Sequence, residues 1–217
     1  MVATSSHWDG IYRDKRADDV SWFQRSPETS LRLIRQAVPD TSARILDVGG
    51  GASTLVDALL ADGYANLTVL DIAANGLRQA QARLGADAAR ITWMVADIIL
   101  ADLPSGAFDL WHDRAAFHFL TDAAARVLYV AQVHRAVRPG GHVLIATFAD
   151  DGPMSCSGLP VARYSETDLQ REMGDGLTLV ASAREQHVTP WGTPQSFVYG
   201  LFTKPPFLND PNDPIRR

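Results

Sequence analysis

What most constrains this chain is an alternation. From Arg44 onward, short apolar runs rich in β-branched residues take turns with stretches of helical periodicity. Arg44–Val48 precedes Thr54–Ala61, Leu67–Asp71 precedes Gly76–Leu84, and the strand-like runs Ile91–Val95 and Phe108–Trp111 follow. Ala123–Val137 then spaces Ala, Val and Leu along one helical face until Pro139-Gly140-Gly141 breaks it, and His142–Phe148 reads as a buried strand. Strands of this length separated by helices make βαβ units, which require a mostly parallel sheet covered by helices on both faces. After Phe148 the rhythm changes. Ser165 can cap a short helix to Met173, and the strands Leu177–Arg184 and Ser196–Thr203 are joined by a loop of about eleven residues with no helix between them. The expectation is an α/β fold: a doubly wound, mostly parallel, seven-stranded, Rossmann-like sheet with a C-terminal antiparallel hairpin.

The 217 residues suit one domain. It is expected over 42–203, after a helical and aromatic lid segment at 1–41 and before a loose tail at 204–217, where four of fourteen residues are proline. Twenty basic against 25 acidic residues leave a net charge of -5, without the basic surplus that neutralises phosphates, so no nucleic-acid partner is expected. No run approaches the ~20 apolar residues of a membrane span, and Met1–Gly10 lacks the apolar centre of a secretory leader. No membrane partner is expected either. Cys156 is the one cysteine, which excludes an intrachain disulfide and suits a reducing, cytoplasmic location.

The chemistry concentrates where strands end. Asp47-Val48-Gly49-Gly50-Gly51 lies between the first strand and its helix, and glycines there let the backbone turn tightly against a ligand. The spacing is not Gly-x-Gly-x-x-Gly and no Lys-Ser/Thr follows, which disfavours a dinucleotide or a nucleoside triphosphate. Asp47, Asp71, Asp97 and Asp113 stand at the carboxyl ends of four successive strands, the side on which open α/β sheets bind ligands. Asp71, 24 residues after Asp47, is placed to accept hydrogen bonds from both hydroxyls of a ribose, and Asp97 from an adenine amine with Ile98 against the ring. A helix cap or a solvated turn explains any one of these aspartates. Four in register point to a ligand.

Together these features resemble the class I S-adenosylmethionine-dependent methyltransferases, in the Asp-x-Gly-x-Gly turn, the acid after strand two and the aspartate after strand three. The resemblance covers roughly 42–203 and implies S-adenosylmethionine as cofactor. Gly49, Gly50 and Gly51 would border its methionine part and ribose, Asp71 the ribose, Asp97 and Ile98 the adenine, with Asp47, Ile72 and Asp113 completing the set. Gly50 stands where many members carry a larger residue, which bears on the shape of the loop. Asp113-Arg114 resembles the thiopurine and small-thiol branch rather than the Asn/Asp-Pro-Pro-Tyr/Phe motif of enzymes that methylate amide or exocyclic nitrogens. It implies catalytic roles for Asp113, Arg114 and His118, with Arg114 favouring a thiolate, and His118 or Asp113 the base that an amine would need.

The aromatic segment His7–Tyr12 and Val20–Gln24 supplies Tyr12, Trp22 and Phe23 for a lid, since aromatic faces attract a soft sulfonium cation; anchoring of a helix by Trp8 and Trp22 accounts for the same residues. Cys156, His187 and Trp191 are further candidates for an acceptor pocket. No metal is expected: His112 and His118 are six residues apart, without the i, i+4 spacing that seats one ion. The expected function is methyl transfer to a small-molecule acceptor, a thiol or related soft nucleophile first. Protein lysine N-methylation and non-catalytic binding of the cofactor are the alternatives, and a Rossmann dehydrogenase is a third.

Overall fold

Residues 4–206 are described by the computed structural model. Its strands are β1 (Arg44–Val48), β2 (Asn66–Asp71), β3 (Ile91–Val95), β4 (Phe108–Arg114), β5 (Val137–Phe148), β6 (Ser155–Cys156), β7 (Leu159–Pro160), β8 (Thr178–Val188) and β9 (Pro194–Thr203). Seven of them form one sheet in the order β3-β2-β1-β4-β5-β9-β8, parallel from β3 to β5, with β9 antiparallel to both of its neighbours. The order reverses between β1 and β4, where Val48 pairs with Asp113. Loops leaving these two strands diverge and open a crevice beyond their carboxyl ends.

Period-two alternation sends successive strand residues to opposite faces. Ile45, Leu67, Val69 and Leu144 pack beneath α2 (Glu28–Ala37) and α3 (Leu55–Ala61), with Leu77 of α4 (Ala74–Leu84). Leu46, Val48, Leu70, Trp111 and Ile145 face α5 (Ala123–Ala136) and α6 (Glu166–Met173). The first helix, α1 (Ser5–Asp14), is capped by the Thr4 side chain and lies against α4 at the carboxyl-end face. No helix among the described residues is long and apolar enough to cross a membrane.

Boundaries differ from expectation at three places. Pro139-Gly140-Gly141 does not separate helix from strand but sits inside β5 as a bulge: Phe108 pairs with Val137 and Leu110 with His142, so five residues answer two. Strands β8 and β9 reach further than expected, because Glu185–Val188 and Pro194–Gln195 continue the ladder and leave 189–193 as the turn, closed by Thr189 N–H to Thr193 O at 2.9 Å. The hairpin β6–β7 was not expected at all. Its two turn residues, Ser157 (φ 51°) and Gly158 (φ 76°), are both left-handed, as tight hairpin turns require. Of the expected tail, 204–206 is described and 207–217 lies outside the described residues.

One buried polar chain ties the sheet to α5. Trp111 Nε1–H donates to Tyr129 Oη (2.9 Å), and the Tyr129 hydroxyl donates to Asp113 Oδ2 (2.7 Å). Tyr129→Phe strips both neighbours of a partner where all three side chains are fully buried, and is expected to destabilise the fold by about 1–3 kcal/mol in denaturant titration. A loss below about 0.5 kcal/mol would show that the chain does not hold α5 in place.

Candidate functional site

The crevice widens into a cleft with about 1000 Å³ of open space. At one end Asp71 and Asp97 stand among Leu70, Ile72, Ile98 and Ile99; at the other Arg114, Ala115, Ala116, Phe119 and Cys156 form the wall under a roof of Trp8, Tyr12 and Trp22. The glycine turn is pinned to β2, since Gly49 and Gly50 N–H both donate to Leu70 O (2.7 and 3.2 Å). Gly49 (φ 67°) and Gly51 (φ 47°) are left-handed; a Cβ on Gly49 would stand 2.5 Å from that of Ala116, and one on Gly51 would strike the Tyr12 hydroxyl. The departure at Gly50 has a local reason. A Cβ there would come within 2.5 Å of Val69 Cγ1 and 2.7 Å of Asp47 Oδ2, so the bare residue makes room for the aspartate.

Asp71 is buried, with Oδ1 accepting from Ala73 N–H at 2.7 Å. Burial pushes its carboxyl up to about 7, against the pull of the Ala73 and Gly51 amides. Beside it the Tyr12 hydroxyl is pushed up as well, by burial first and by the Asp71 charge second. The roof is clamped rather than loosely laid. Asp9 accepts from Asn75 N–H at the start of α4 (2.8 Å), Gln79 Nε2 donates to Tyr12 O (2.5 Å) and Lys15 O (2.9 Å), and Trp8 meets Trp22 and Phe119 edge-on.

Of the residues expected at the site, the cleft is lined by Tyr12, Trp22, Gly49, Asp71, Ile72, Asp97, Ile98 and Arg114. Gly51 lies beneath Tyr12. Asp47 and Gly50 face a second, smaller void behind the turn. Asp97 Oδ1 accepts from Ile99 N–H at 3.1 Å.

Asp113 requires correction. Its Oδ1 accepts from Ala116 N–H (2.9 Å) and Phe117 N–H (3.2 Å), its Oδ2 is taken by Tyr129, and it does not line the cleft. Strand alternation is the reason: His112 and Arg114 point to one face of the sheet and Asp113 to the other. There it holds the turn through Ala115, which is left-handed at φ 72°. Burial raises its carboxyl to about 6.

His118 also stands outside the cleft, where its neighbour Phe119 takes the facing position. It is fully buried against Phe119 and Phe148, its Nδ1 accepts from Phe148 N–H (3.2 Å), and burial with the Arg114 charge lowers its pKa to about 3. A base at the acceptor is not what it can be. His187 is spent on Ser21 O (Nε2 at 2.6 Å), and Trp191 is 55% exposed and no part of the cleft.

Arg114 is held from four sides: Nε to Tyr199 Oη (3.0 Å), Nη1 to Trp22 O (3.1 Å), the guanidinium over the Phe197 ring (4.3 Å), and Nη2 3.6 Å from Glu185. Glu185 in turn accepts from Gln24 (2.7 Å) and Tyr199 (3.1 Å). Tyr199, Glu185 and Gln24 escaped the sequence reading; the alternation in β8 was the available signal, hidden because that stretch read as loop. Burial pushes the Cys156 thiol up, opposed by Ser21, Ser157 and Arg114.

The family described as Methyltransferase domain matches residues 45–141. An uncharacterized methyltransferase of Mycobacterium tuberculosis is 31% identical over 166 residues, 76% of this chain and 77% of that protein. The chain belongs to the methyltransferase family. Solved methyltransferase structures share its fold. The N-methyltransferase NodS from Bradyrhizobium japonicum, in complex with S-adenosyl-L-homocysteine, superposes with TM-score 0.68 at 20% identity, covering 90% of this chain and 97% of that one. A structure described under conversion of a disulfide bond into a thioacetal group during echinomycin biosynthesis gives TM-score 0.74 at 20% identity and 93% coverage of both chains.

The raised carboxyls at Asp71 and Asp113 fix a pH dependence. Groups whose folded pKa lies above the unfolded value near 3.8 cost stability as they ionise, so that of the cofactor-free methyltransferase falls as pH rises from about 4 to 7. Each group contributes at most about 1.4 kcal/mol per pH unit. Asp71→Asn is expected to flatten the upper part of the profile, leaving the Asp113 slope below about pH 6, in urea titrations at pH 5, 6 and 8. An unchanged profile would mean that Asp71 is ionised throughout.

Proposed function

We propose that this methyltransferase transfers a methyl group to a small thiol, or a comparably soft nucleophile, bound at the Arg114 end of its cleft. The observation that carries this reading is that, among the described residues, no proton acceptor lines that end of the cleft. Both carboxylates lining the cleft, Asp71 and Asp97, stand at its other end, Asp113 faces away, and His118 is outside. An alkylammonium with a pKa near 10.4 would need a base, whereas a thiol near 8.5 ionises by itself, and the Arg114 cation favours the thiolate. Cys156 sits at the same wall and experiences the same cation. Its own thiol is held protonated by burial, so it does not compete with an incoming acceptor.

The residues present fit the cofactor. Asp71 would accept from the ribose hydroxyls and Asp97 from the adenine amine, Ile72 and Ile98 offer apolar contact to the ring and sugar, and Gly49 lets the backbone come close. When bound, the cofactor supplies a methyl group activated by a sulfonium. Tyr12 and Trp22 cover that position with aromatic surface and keep water out. Arg114 orients the acceptor, and the clamped roof restricts entry to small molecules.

Two measurements test this. Asp71→Ala is expected to weaken cofactor affinity by about 1.5–3 kcal/mol in calorimetry, the scale of charge-assisted hydrogen bonds. Labelled methyl transfer against aromatic thiols, aliphatic thiols, amines and a lysine peptide should give product with thiols, and Arg114→Gln should lower turnover about tenfold at pH 7 but much less at pH 9, where the thiol ionises unaided. Products confined to amines or the peptide would overturn the thiol assignment, and no binding of the cofactor would overturn the whole.

A further inference from the structure

Behind the glycine turn lies the second void, a narrow one, which shares Trp22, Gly49 and Arg114 with the cleft and so adjoins it beside the turn. Three buried polar side chains on three elements meet at its wall. His112 of β4 places Nδ1 2.7 Å from Asp47 Oδ1 at the end of β1, and Nε2 2.9 Å from Ser30 Oγ in α2. Ser30 is fully buried, His112 is 3% exposed and Asp47 5%. With the imidazole proton on Nδ1, all three groups are satisfied in one direction: the Ser30 hydroxyl donates to His112, and His112 donates to Asp47.

This arrangement uses only half of Asp47. Oδ2 has no hydrogen-bond partner among the described residues and lies against Gly50, whose missing Cβ leaves it room. Arg114, the cation at the same void, is already directed to Trp22 O, Tyr199 and Glu185. The void thus presents one oriented carboxylate oxygen, just past the turn from the end where Asp71 and Asp97 stand.

We propose that His112 and Ser30 are positioning residues for the methyl donor: they fix the Asp47 carboxyl so that its Oδ2 receives the ammonium of the donor's amino-acid end in this void. The inference rests on the donor placement given under Proposed function. Neither His112 nor Ser30 touches the donor. Both act by removing the rotational freedom of Asp47, so that the hydrogen bond forms without first ordering the carboxyl.

The test compares two ligands of the full chain by calorimetry. S-adenosylhomocysteine carries the amino-acid end, and 5′-methylthioadenosine lacks it but keeps the nucleoside. His112→Leu is expected to weaken S-adenosylhomocysteine about tenfold or more while methylthioadenosine changes less than about twofold. In His112→Asn the side-chain amide replaces Nδ1–H toward Asp47 and should restore affinity to within about threefold of the natural protein. Ser30→Ala should cost S-adenosylhomocysteine about two- to fivefold and spare methylthioadenosine. Equal losses for both ligands, or no loss for S-adenosylhomocysteine in variants that keep their circular dichroism and melting transition, would overturn the proposal. Should His112→Leu fail to fold, His112→Asn and Ser30→Ala decide by the same ratio of affinities. A natural protein that binds neither ligand would defeat the donor placement itself, and the relay with it.

Discussion

Parallel pairing of β1 with β4, Val48 against Asp113, is the contact from which the site follows. The chain leaves β1 toward β2 and β3 on one side and β4 toward β5 on the other, so no crossover covers the gap between them. Each loop that borders this gap is held from below by the sheet. The Gly49 and Gly50 amides hang on the last carbonyl but one of β2, and the Ala116 and Phe117 amides hang on Asp113. Gly49 therefore meets the Ala116 methyl group across the crevice, so only main chain and a methyl border it there.

Burying carboxylates at strand ends is costly, and the fold answers the cost in three ways. Asp47 receives an imidazole, Asp113 receives two amides and a tyrosine hydroxyl, and Asp71 receives one amide on Oδ1 and stays raised to about 7. The solution at Asp113 consumes its acceptor capacity inside the protein. The other two leave some over, at Asp47 Oδ2 beside the second void and at Asp71 on the cleft wall. A carboxyl whose pKa burial has raised has the most to gain from added hydrogen-bond donors.

The succession of strands and helices and the glycine turn were legible because they rest on local periodicity: Ile45 and Leu46 already point to opposite layers in the sequence pattern. The four aspartates were legible as a set but not individually. Asp113 and Arg114 are adjacent, and the sequence does not show which of two neighbours on β4 faces the crevice until the register with β1 and β5 is known. His118 was misjudged for a similar reason, since a single 3-10 turn rotates Phe119 into the cleft and His118 under Phe148. Ser30 carried no signal at all, and Glu185 only the alternation of a stretch that reads as loop. Their partners lie 82 and 71 positions away along the chain, His112 for the first and Arg114 for the second, and contacts of that range are set by tertiary packing.

Arg114 gathers the parts that the sequence left separate. Its guanidinium joins β4 to the Trp22 carbonyl of the roof and, through Tyr199 and Glu185, to the hairpin β8–β9. A roof residue, an internal strand and an edge strand thus share one buried cation, and the cost of burying it is offset by stacking on Phe197 and by the nearby carboxylate. The same cation stands at the cleft wall beside Cys156 and Ala115. One guanidinium therefore both ties the roof to the sheet and places a positive charge at the cleft wall, so the charge at that wall and the packing above it are fixed by the same side chain.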